Sequence, residues 1–372
     1  MPPRLQVLSS LSEFEDLRPD HDALLGEVSR ATPFHTFEWI TANLASFTNQ
    51  GVHILTARHD QILVAVVPLV LRRGRRYLRT GTWLELAGQP FADYGGALVR
   101  PGFETAVAEL LLDDVYAGHS TWQGMYLDKL DPSDPVSQAL LDCAQTKHAP
   151  VATHSTHSVW KLDRGAHLTH QEPSKSLDRA RKKLAEKGTV DFAVYTSVSD
   201  IEHRLRDFFH LHIRRFESKG LRSPLAAPRQ QEFYRNFVRQ LAPKGYVWLS
   251  VLACGGAPAA MRISLRLRNV LHLYATCFAE EFARHSPSML QLRMLLDHAF
   301  ANGIETVDFG IGESPHKEQP GAVQQAPLMA IEFHTRRITH AESRLFQSAR
   351  SRSGSLQKAG KILRKLLPYK MD

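Results

Sequence analysis

Residues 286–310 read SPSMLQLRMLLDHAFANGIETVDFG, and they decide the fold that the sequence predicts. Ser286 and Pro287 are typical of a helix start, and Gly303 is typical of a helix end. The residues between them place an apolar stripe near helical spacing: Met289, Leu292, Leu295, Leu296 and Ala299. ETVDFG then predicts a strand. A helix start beside the end of the preceding strand leaves backbone N–H groups that can hold a phosphate.

Strands are predicted in two separate meanders. Residues 246–254, YVWLSVLAC, begin the one before this unit, with turns at Gly255-Gly256 and Arg268-Asn269. A similar pair occurs much earlier, where VHILTARHD and QILVAVVPLVLRR flank the polar turn His59-Asp60-Gln61. Both patterns indicate antiparallel strands joined by short turns.

A helix rich in aromatic residues precedes each meander. The first is predicted over 33–47 with Thr36 as an N-cap, and the second over 200–220 with Asp200 in front. The order of helices and strands therefore occurs twice in the chain. Repetition on a scale of about 180 residues predicts a duplicated domain and not a solenoid of short repeats.

The composition is that of an ordinary soluble protein of two domains. The chain has 372 residues, of which 43% are apolar and 23% charged. Its net charge of +8 suggests an anionic partner, such as a nucleotide, a phosphorylated carrier, tRNA or an acidic membrane surface. Its three cysteines lack CxxC spacing, which favours reduced thiols in the cytosol and predicts no metal site.

The N-terminus does not resemble a signal peptide, because it lacks a basic start and a continuous apolar core. The longest apolar run, residues 62–71, contains Pro68 and is too short to span a bilayer. We therefore expect a cytoplasmic protein. Peripheral contact with the inner membrane face stays open, because the segment from Arg350 to Lys370 has seven basic residues and no acid.

Two basic segments stand out. A helix that begins after Ser174 or Ser176 and ends before Gly188 carries six cations: Lys175, Arg179, Arg181, Lys182, Lys183 and Lys187. It is either a solvated surface helix or a landing surface for a phosphate-bearing substrate. The tail predicts a basic amphipathic helix, which either docks on its own protein or contacts an anionic membrane or a partner.

Several motifs carry a family resemblance by their order and spacing. They are PFHTFEW, VAVVPLVLRR, LELAGQPFADYGGALVRPG, SLDRARKKLAEKG, HLHIRRFESKG, APAAMRISL, HSPSMLQLRML and VDFGIGESPHK. Over roughly residues 33–332 the chain resembles the GNAT superfamily, more narrowly the FemAB-like and CelD/BcsL-type acetyltransferases with a BioF-like domain.

The resemblance implies a mixed α/β (α+β) fold class. Two tandem GNAT-like domains are expected, each a mixed, largely antiparallel sheet flanked by helices. The expected limits are an N-terminal half at 1–165, a basic connecting helix at 166–190, a C-terminal acyltransferase half at 191–345 and a basic tail at 346–372.

Two positions depart from the family pattern. Phe216 stands where the family usually has Trp, which we interpret as a packing change. His316 stands where Tyr is common before the lysine, inside the expected site, and this predicts an altered substrate or altered chemistry.

The segment DFGIGESPHK, residues 308–317, holds the candidate catalytic groups. Asp308 or Glu313 could orient or deprotonate an amine or hydroxyl. His316 could act as an acid or base, and Lys317 could neutralise a phosphate or an oxyanion. Each has a structural alternative: Asp308 could shape the glycine turn through local hydrogen bonds, and the others could be surface residues.

The resemblance implies coenzyme A binding without a phosphate-loop motif to support it. The expected cofactor-binding residues are Arg284, Ser286, Pro287, Ser288, Met289 and Leu290. The polar corner Asp93-Tyr94-Gly95-Gly96 either lines an acceptor pocket or is a simple turn. The substrate-binding candidates are Asp93, Tyr94, Arg214, Arg215 and Tyr274.

The leading prediction is an acyltransferase that moves an acyl group, acetyl in the simplest case, from acyl-CoA. The acceptor would be an amine or hydroxyl of a sugar, a polysaccharide precursor or an amino compound, free or linked to a carrier. One alternative is a FemAB-like transferase that uses aminoacyl-tRNA, which the basic helix favours. The other is a catalytically silent GNAT-like binding module, because fold alone does not transfer function.

Overall fold

The computed structural model describes residues 2–47, 51–169, 175–312 and 321–352. The elements up to residue 163 are β1 (Arg4–Leu8), α1 (Leu11–Glu15), α2 (Arg18–Glu27), α3 (Phe37–Ser46), β2 (Gly51–His59), β3 (Ile62–Arg76), β4 (Arg79–Leu86), β5 (Leu98–Val99), α4 (Glu104–Ala117), β6 (Gly124–Leu130), α5 (Pro135–Thr146), β7 (Val151–His157) and β8 (Val159–Asp163).

The later elements are α6 (Arg164–Thr169), α7 (Lys175–Ala185), β9 (Val190–Tyr195), α8 (Val198–Glu217), α9 (Pro228–Leu241), β10 (Val247–Cys254), β11 (Ala257–Leu267), β12 (Val270–Phe278), α10 (Pro287–Ala301), β13 (Thr306–Ile311), β14 (Val323–Gln324), β15 (Leu328–His334) and α11 (Arg337–Arg352). Short 3₁₀ helices lie at Pro33–His35, Pro224–Ala226, Ala242–Lys244 and Glu280–His285.

The strands form two mixed sheets, which confirms the predicted fold class. The first sheet has the order β1-β2-β3-β4-β6-β15-β7, with β5 paired to β3, and the second has β14-β8-β13-β12-β11-β10-β9. Each sheet contains one parallel pair among the described strands, β4 with β6 and β12 with β13, and its other pairs are antiparallel. Helices flank both sheets.

The duplication is visible in the order of elements. The run β1, α2, α3, β2, β3, β4, α4, β6 is repeated as β9, α8, α9, β10, β11, β12, α10, β13. In both runs the last helix connects the two strands of the parallel pair, as a crossover between parallel strands requires.

Two strands cross the predicted domain limits. β8 belongs to the predicted N-terminal half but pairs with β13 in the second sheet. β15 belongs to the predicted C-terminal half but lies between β6 and β7 in the first sheet. α11 likewise runs through the limit predicted between the C-terminal half and the tail. Pairing between distant segments leaves no local pattern, so the sequence did not reveal this exchange of strands.

The predicted turns are present, and one predicted helix cap was wrong. The turns between β2 and β3, β10 and β11, and β11 and β12 lie where they were expected. Thr36 caps α3, because its Oγ accepts from the Trp39 N–H at 3.3 Å. Asp200 does not cap α8. Ser197 does so, because its Oγ accepts from the Asp200 N–H at 3.2 Å, and Asp200 lies in the first turn.

The halves share a hydrophobic core. Trp39 on α3 has no exposed surface and contacts the rings of Phe233 and Phe237 on α9, with centroids 5.4 and 5.7 Å apart. Tyr94 and Phe34 from the first half pack in the same core. Burial of this aromatic surface stabilises the contact between the halves and fixes their relative position. Among the described helices, none combines the length and apolarity needed to cross a membrane.

A buried polar cluster anchors α11 to the first sheet. The Glu332 carboxylate on β15 is 1% exposed and accepts hydrogen bonds from the Tyr77 hydroxyl and, at 2.9 Å, from Ser343 of α11. Burial raises the pKa of Glu332, but His334, Tyr77 and Arg76 together lower it more, from 4.5 to about 2. The carboxylate is therefore charged in the folded protein at neutral pH.

We predict that Glu332→Gln lowers the free energy of unfolding by about 3 kcal/mol at pH 7, since each unit of pKa difference corresponds to about 1.4 kcal/mol. The lowered pKa contributes stability in full above the unfolded value of 4.5 and loses it as the pH falls toward 2. Urea unfolding at several pH values should show the gap between variant and wild type shrinking by roughly half at pH 3.

The matched control is Glu202→Gln, whose carboxylate forms an exposed ion pair with Arg239. This substitution should lower the free energy of unfolding by less than about 1 kcal/mol. If the difference in the free energy of unfolding between Glu332→Gln and wild type does not change with pH, Glu332 does not have a lowered pKa in the folded protein.

Candidate active site

The second sheet opens between its two parallel strands. β12 and β13 pair at Val270 with Thr306, Leu271 with Val307 and His272 with Asp308, and no described pair joins them beyond that point. β12 also has a bulge: Ile263 faces Ala275 and Ser264 faces Leu273, so that Tyr274 is the extra residue. α10 follows this strand and packs across the same sheet. The strand ends and the helix start therefore border one opening.

The first sheet has the same opening, but its own chain fills it. β4 and β6 pair only at Leu84 with Met125 and Glu85 with Tyr126 in the described residues. Residues 87–97 then enter the gap. The Gly95 N–H donates to the Lys129 carbonyl at 2.9 Å, and the buried Lys129 ammonium donates to the carbonyls of Pro90 at 2.8 Å and Ala92 at 2.5 Å. A Cβ on Gly95 would lie 2.1 Å from the Asp128 carbonyl oxygen.

The inserted loop brings the polar corner Asp93-Tyr94 against the second sheet. The Tyr94 hydroxyl donates to Asp308 Oδ2 at 2.5 Å, and the Gly310 N–H donates to Asp308 Oδ1 at 2.8 Å. Asp308 is 1% exposed, and His272 Nδ1 lies 3.6 Å from its Oδ2. The corner predicted for the substrate and the aspartate predicted for catalysis therefore meet, although 214 residues separate them in sequence.

Gly310 allows this close approach. It has φ of 64°, and a Cβ there would lie 2.5 Å from Asp93 Oδ2. A side chain at this position would be strained by the backbone and would displace the Asp93 carboxylate. Asp93 is half-buried, so that its carboxylate lies at the edge of the opening while Asp308 lies behind it.

Burial controls the protonation of the groups around Asp308. Burial and the adjacent Asp308 carboxylate raise the pKa of Tyr94 far above its ordinary value, so the hydroxyl remains a donor. Burial lowers the pKa of His272 and brings that of His35 to about 4, so that both rings are neutral at pH 7. Asp308 and Asp93 are the two acidic residues of this cluster.

Tyr274, a predicted substrate-binding residue, lines the aromatic side of the opening. Its ring contacts Phe34 and Tyr234, with centroids 6.1 and 5.8 Å apart. Burial raises the pKa of Tyr274 well above its ordinary value, and the neighbouring Tyr234 and Asp93 raise it further. The hydroxyl is thus a neutral donor beside the Asp93 corner.

The predicted cofactor-binding residues lie around the start of α10. Ser286 is exposed with φ of 49° and ψ of 47°, and its side chain makes no capping hydrogen bond. Arg284 is exposed, Pro287 is the first helical residue, and Leu290 packs into the hydrophobic core beneath α7. Of the two predicted arginines on α8, Arg214 is exposed, whereas the Arg215 guanidinium lies 3.7 Å from the ring centroid of Phe278 at the end of β12.

The basic connecting helix, α7, packs beside this helix start. Leu177, Ala180 and Leu184 face the core, and α7 contacts both α10 and the 3₁₀ helix Glu280–His285. The opposite side of α7 and the turn that follows it carry six exposed cations. None of them forms an ion pair with a described residue. They are Lys175, Arg179, Arg181, Lys182, Lys183 and Lys187.

The structure brings together some of the predicted site residues and leaves others unplaced. Asp93, Tyr94, Tyr274 and Asp308 form one cluster, and their catalytic and binding roles stay predictions. Glu313, His316 and Lys317 lie outside the described residues, as do Ser174 and the tail beyond residue 352. In the part of the chain that is described, no group of three or more His, Cys, Asp or Glu residues could hold a metal ion.

Three residues of the cluster were missed from the sequence: His35, Lys129 and His272. His272 had a detectable signal, since it is a polar residue within the apolar strand VLHLYATCF that precedes the predicted helix start. Lys129 and His35 had none, because their positions depend on how the loop 87–97 fills the first opening.

Residues 173–318 match the family model described as an acetyltransferase (GNAT) domain. This part of the chain is therefore similar to a GNAT-type acetyltransferase domain. This match confirms the GNAT resemblance for the half with the open sheet, and it does not include the filled first opening. No curated protein matches the sequence of this chain significantly.

Solved structures resemble nearly the whole chain. FemX has a TM-score of 0.59 at 11% identity and covers 89% of this chain and 97% of its own. The C-terminal domain (DUF2156) of a putative lysylphosphatidylglycerol synthetase from Agrobacterium fabrum has a TM-score of 0.56 at 11% identity, covering 90% and 96%. L-PGS from Bacillus licheniformis has a TM-score of 0.53 at 11% identity and covers 87% of this chain and 95% of its own. At 11% identity, these similarities show only that the chain shares its fold, including both sheets, with these structures.

We predict that Tyr94 and Asp308 are energetically coupled across the halves. Tyr94→Phe leaves a buried carboxylate without one donor, and Asp308→Asn weakens the acceptor. A double-mutant cycle on urea unfolding should give a coupling of about 1–3 kcal/mol. Tyr116→Phe is the control, because the Tyr116 hydroxyl is buried without a hydrogen-bond partner, and it should cost almost nothing. Additive effects of Tyr94→Phe and Asp308→Asn would refute the coupling.

Proposed function

We propose that this protein is an acyltransferase that moves an acyl group, acetyl in the simplest case, from acyl-CoA to an amine or hydroxyl. One observation carries the proposal: within the GNAT-type domain, the only parallel pair of described strands in the second sheet opens at Asp308, beside the start of α10. Unpaired strand edges can hold an extended ligand, and a helix start can hold its phosphates.

The donor would lie with its phosphates at Ser286 and Ser288 and its thioester near the bulge at Tyr274. The charge distribution supports this placement, because α7 presents its cations beside the same helix start. Anionic ligands are attracted to such a surface before they bind. The first opening is filled by residues 87–97, so each chain would bind one donor.

The reaction is a direct attack on the thioester carbonyl. The acceptor nitrogen or oxygen forms a bond to the carbonyl carbon, the C–S bond breaks, and the proton of the acceptor passes to the departing thiolate. Asp93 would take this proton first, because its half-buried carboxylate lies at the edge of the opening. Backbone N–H groups of β12 at the bulge would stabilise the oxyanion.

Asp308 would act as a positioning residue. Both of its oxygens accept hydrogen bonds within the protein and it is 1% exposed, so a substrate proton does not reach it in this arrangement. It holds the Gly310 turn and the Tyr94 hydroxyl, and through them the Asp93 corner. Glu313, His316 and Lys317 remain candidates for the base and for oxyanion stabilisation.

The acceptor proposed is a sugar, a polysaccharide precursor or an amino compound. The motifs shared with CelD/BcsL-type acetyltransferases support this class, and the half-buried ring of Tyr274 at the bulge offers an aromatic surface to a sugar ring. A cytoplasmic location, with the basic tail on an anionic membrane surface, belongs to the same proposal.

We predict that acetyl-CoA raises the melting temperature with one donor bound per chain, and that thiol release follows when an acceptor is added. Asp93→Asn should lower kcat by about 100-fold, because general base catalysis contributes about that much, and leave the KM for acetyl-CoA nearly unchanged. Asp113→Asn on α4, at an exposed position, is the control.

Three outcomes would count against the proposal. If no acyl-CoA shifts the melting temperature, the donor is wrong. If activity survives in the Asp93→Asn, Asp308→Asn double variant, these residues do not carry the reaction. If wild type binds the donor but transfers no acyl group to any acceptor, the catalytically silent binding module is favoured.

A second candidate is a transferase that uses aminoacyl-tRNA, as the FemAB-like motifs imply. The observation that favours it is the charge on α7. Its six cations form no ion pair with a residue that the structure describes, and they exceed what the phosphates of one coenzyme require. Repeated phosphate contacts are how proteins hold nucleic acids without reading bases.

For this candidate we predict that a filter-binding assay with charged tRNA shows an affinity that falls with salt, with a log–log slope of about −4 if the six cations all contact phosphates. Lys182→Glu with Lys183→Glu should weaken binding by about tenfold or more. Arg73→Glu with Arg75→Glu on β3, in the first sheet, gives the same change in net charge at exposed positions and should have little effect. Equal losses in both double variants would reject the α7 surface.

A further inference from the structure

A buried arginine lies under the start of α10, and no acidic residue in the described ranges pairs with it. Arg262 on β11 is 8% exposed, and its Nε donates to Gln291 Oε1 at 3.1 Å. Its two terminal nitrogens make no hydrogen bond or ion pair with a described residue. Burial lowers the pKa of Arg262 to about 10, so the guanidinium is still charged at neutral pH.

The surrounding residues hold this side chain in place but do not neutralise it. Gln291 has no exposed surface, and its amide donates to Ser250 Oγ at 2.5 Å. Ser250, also fully buried, donates to the Arg262 carbonyl at 3.3 Å. This closed network uses the Nε and the backbone of Arg262. A buried charge without a counter-charge is strongly unfavourable, so an arginine kept in this state indicates an anion that arrives from outside.

The network also shows where the guanidinium lies. Gln291 is the fifth residue of α10, counted from Pro287, and side chains of a helix point back toward its N-terminus. The Gln291 amide therefore reaches under the first turn of α10, and Arg262 meets it there. Arg262 is also the cross-strand neighbour of Thr276, which lies on the part of β12 without a partner on the side of β13.

Two positive groups thus converge on one place. The first turn of α10 presents the Ser288 N–H and the positive end of the helix dipole, because Pro287 has no N–H and the Met289 and Leu290 N–H groups donate to the Ser286 carbonyl. Arg262 lies beneath this turn. A guanidinium binds phosphate oxygens through two parallel hydrogen bonds, which gives it a geometric preference for phosphate. The side chains that hydrogen-bond to Arg262 among the described residues, Gln291 and Ser250, are neutral.

We propose that Arg262 binds a phosphate group of the donor at the first turn of α10 and thereby makes the enzyme selective for donors that carry a pyrophosphate. This inference rests on the proposed function for the identity of the donor. The anion site itself does not depend on acyl transfer, so the two can be tested separately.

The experiment compares wild type, Arg262→Met and the matched control Arg266→Met. Arg266 lies four residues along the same strand, on the same face, above Trp248. Inorganic pyrophosphate should raise the melting temperature of wild type and Arg266→Met, and the shift should be lost in Arg262→Met. Without anion, Arg262→Met should be at least as stable as wild type, because the uncompensated charge is gone.

A second variant separates an anion site from a purely structural role. Gln291→Glu places a carboxylate next to Arg262, which should stabilise the free protein and weaken pyrophosphate binding by competition. In the transfer assay, Arg262→Met should raise the KM for acetyl-CoA by about tenfold or more with kcat within about threefold. The same variant should leave kcat/KM unchanged for an acetyl thioester that has no phosphate.

Each outcome decides between the claims. If wild type shows no pyrophosphate shift, or if Arg262→Met keeps the full shift, the Arg262 site is wrong. If transfer proceeds with the same KM in Arg262→Met, the site is wrong and the acyltransferase stands. If pyrophosphate acts through Arg262 but no acyl donor is consumed, the anion site stands and the proposed function falls.

Discussion

The hydrogen bond from the Tyr94 hydroxyl to the buried Asp308 carboxylate connects the two halves at the centre of the protein. A carboxylate that is 1% exposed needs donors, and one of its two donors comes from the opposite half. The loop that supplies Tyr94 is held by Lys129, and the turn that receives Asp93 requires a glycine at 310. The position of each half therefore depends on the other, and the exchange of β8 and β15 between the sheets strengthens that dependence.

The duplication has become asymmetric for a physical reason. Both sheets open between a pair of parallel strands, and such an opening leaves backbone groups that need partners. In the first sheet the chain itself supplies them, through Gly95 and the carbonyls that accept from Lys129. In the second sheet the described residues leave the edge of β12 open beyond His272. One opening has thus become part of the scaffold, whereas the described residues leave the other without such a filling loop.

Charge is arranged around the second opening in a consistent way. The acidic residues Asp93 and Asp308 lie at its inner end, where the proposed reaction would take a proton from the acceptor to Asp93. Positive charge lies at the other end, on α7, at the first turn of α10 and in Arg262. A ligand with phosphates at one end and a reactive carbonyl at the other matches this polarity. Because acidic and basic groups lie at opposite ends of one opening, the net charge of +8 alone could not identify the partner.

The sequence by itself determined the local elements, because turns, caps and periodic apolar faces are set by neighbouring residues. It predicted the meanders, the helix start at Pro287 and the mixed tandem fold. It also pointed to Asp308 and to the Asp93-Tyr94 corner, but as unrelated candidates. Only the tertiary structure decided that these two meet, that β8 and β15 change sheets, and that Arg262 is buried with no counter-charge among the described residues. These features depend on contacts between segments far apart in the chain, for which no local pattern exists.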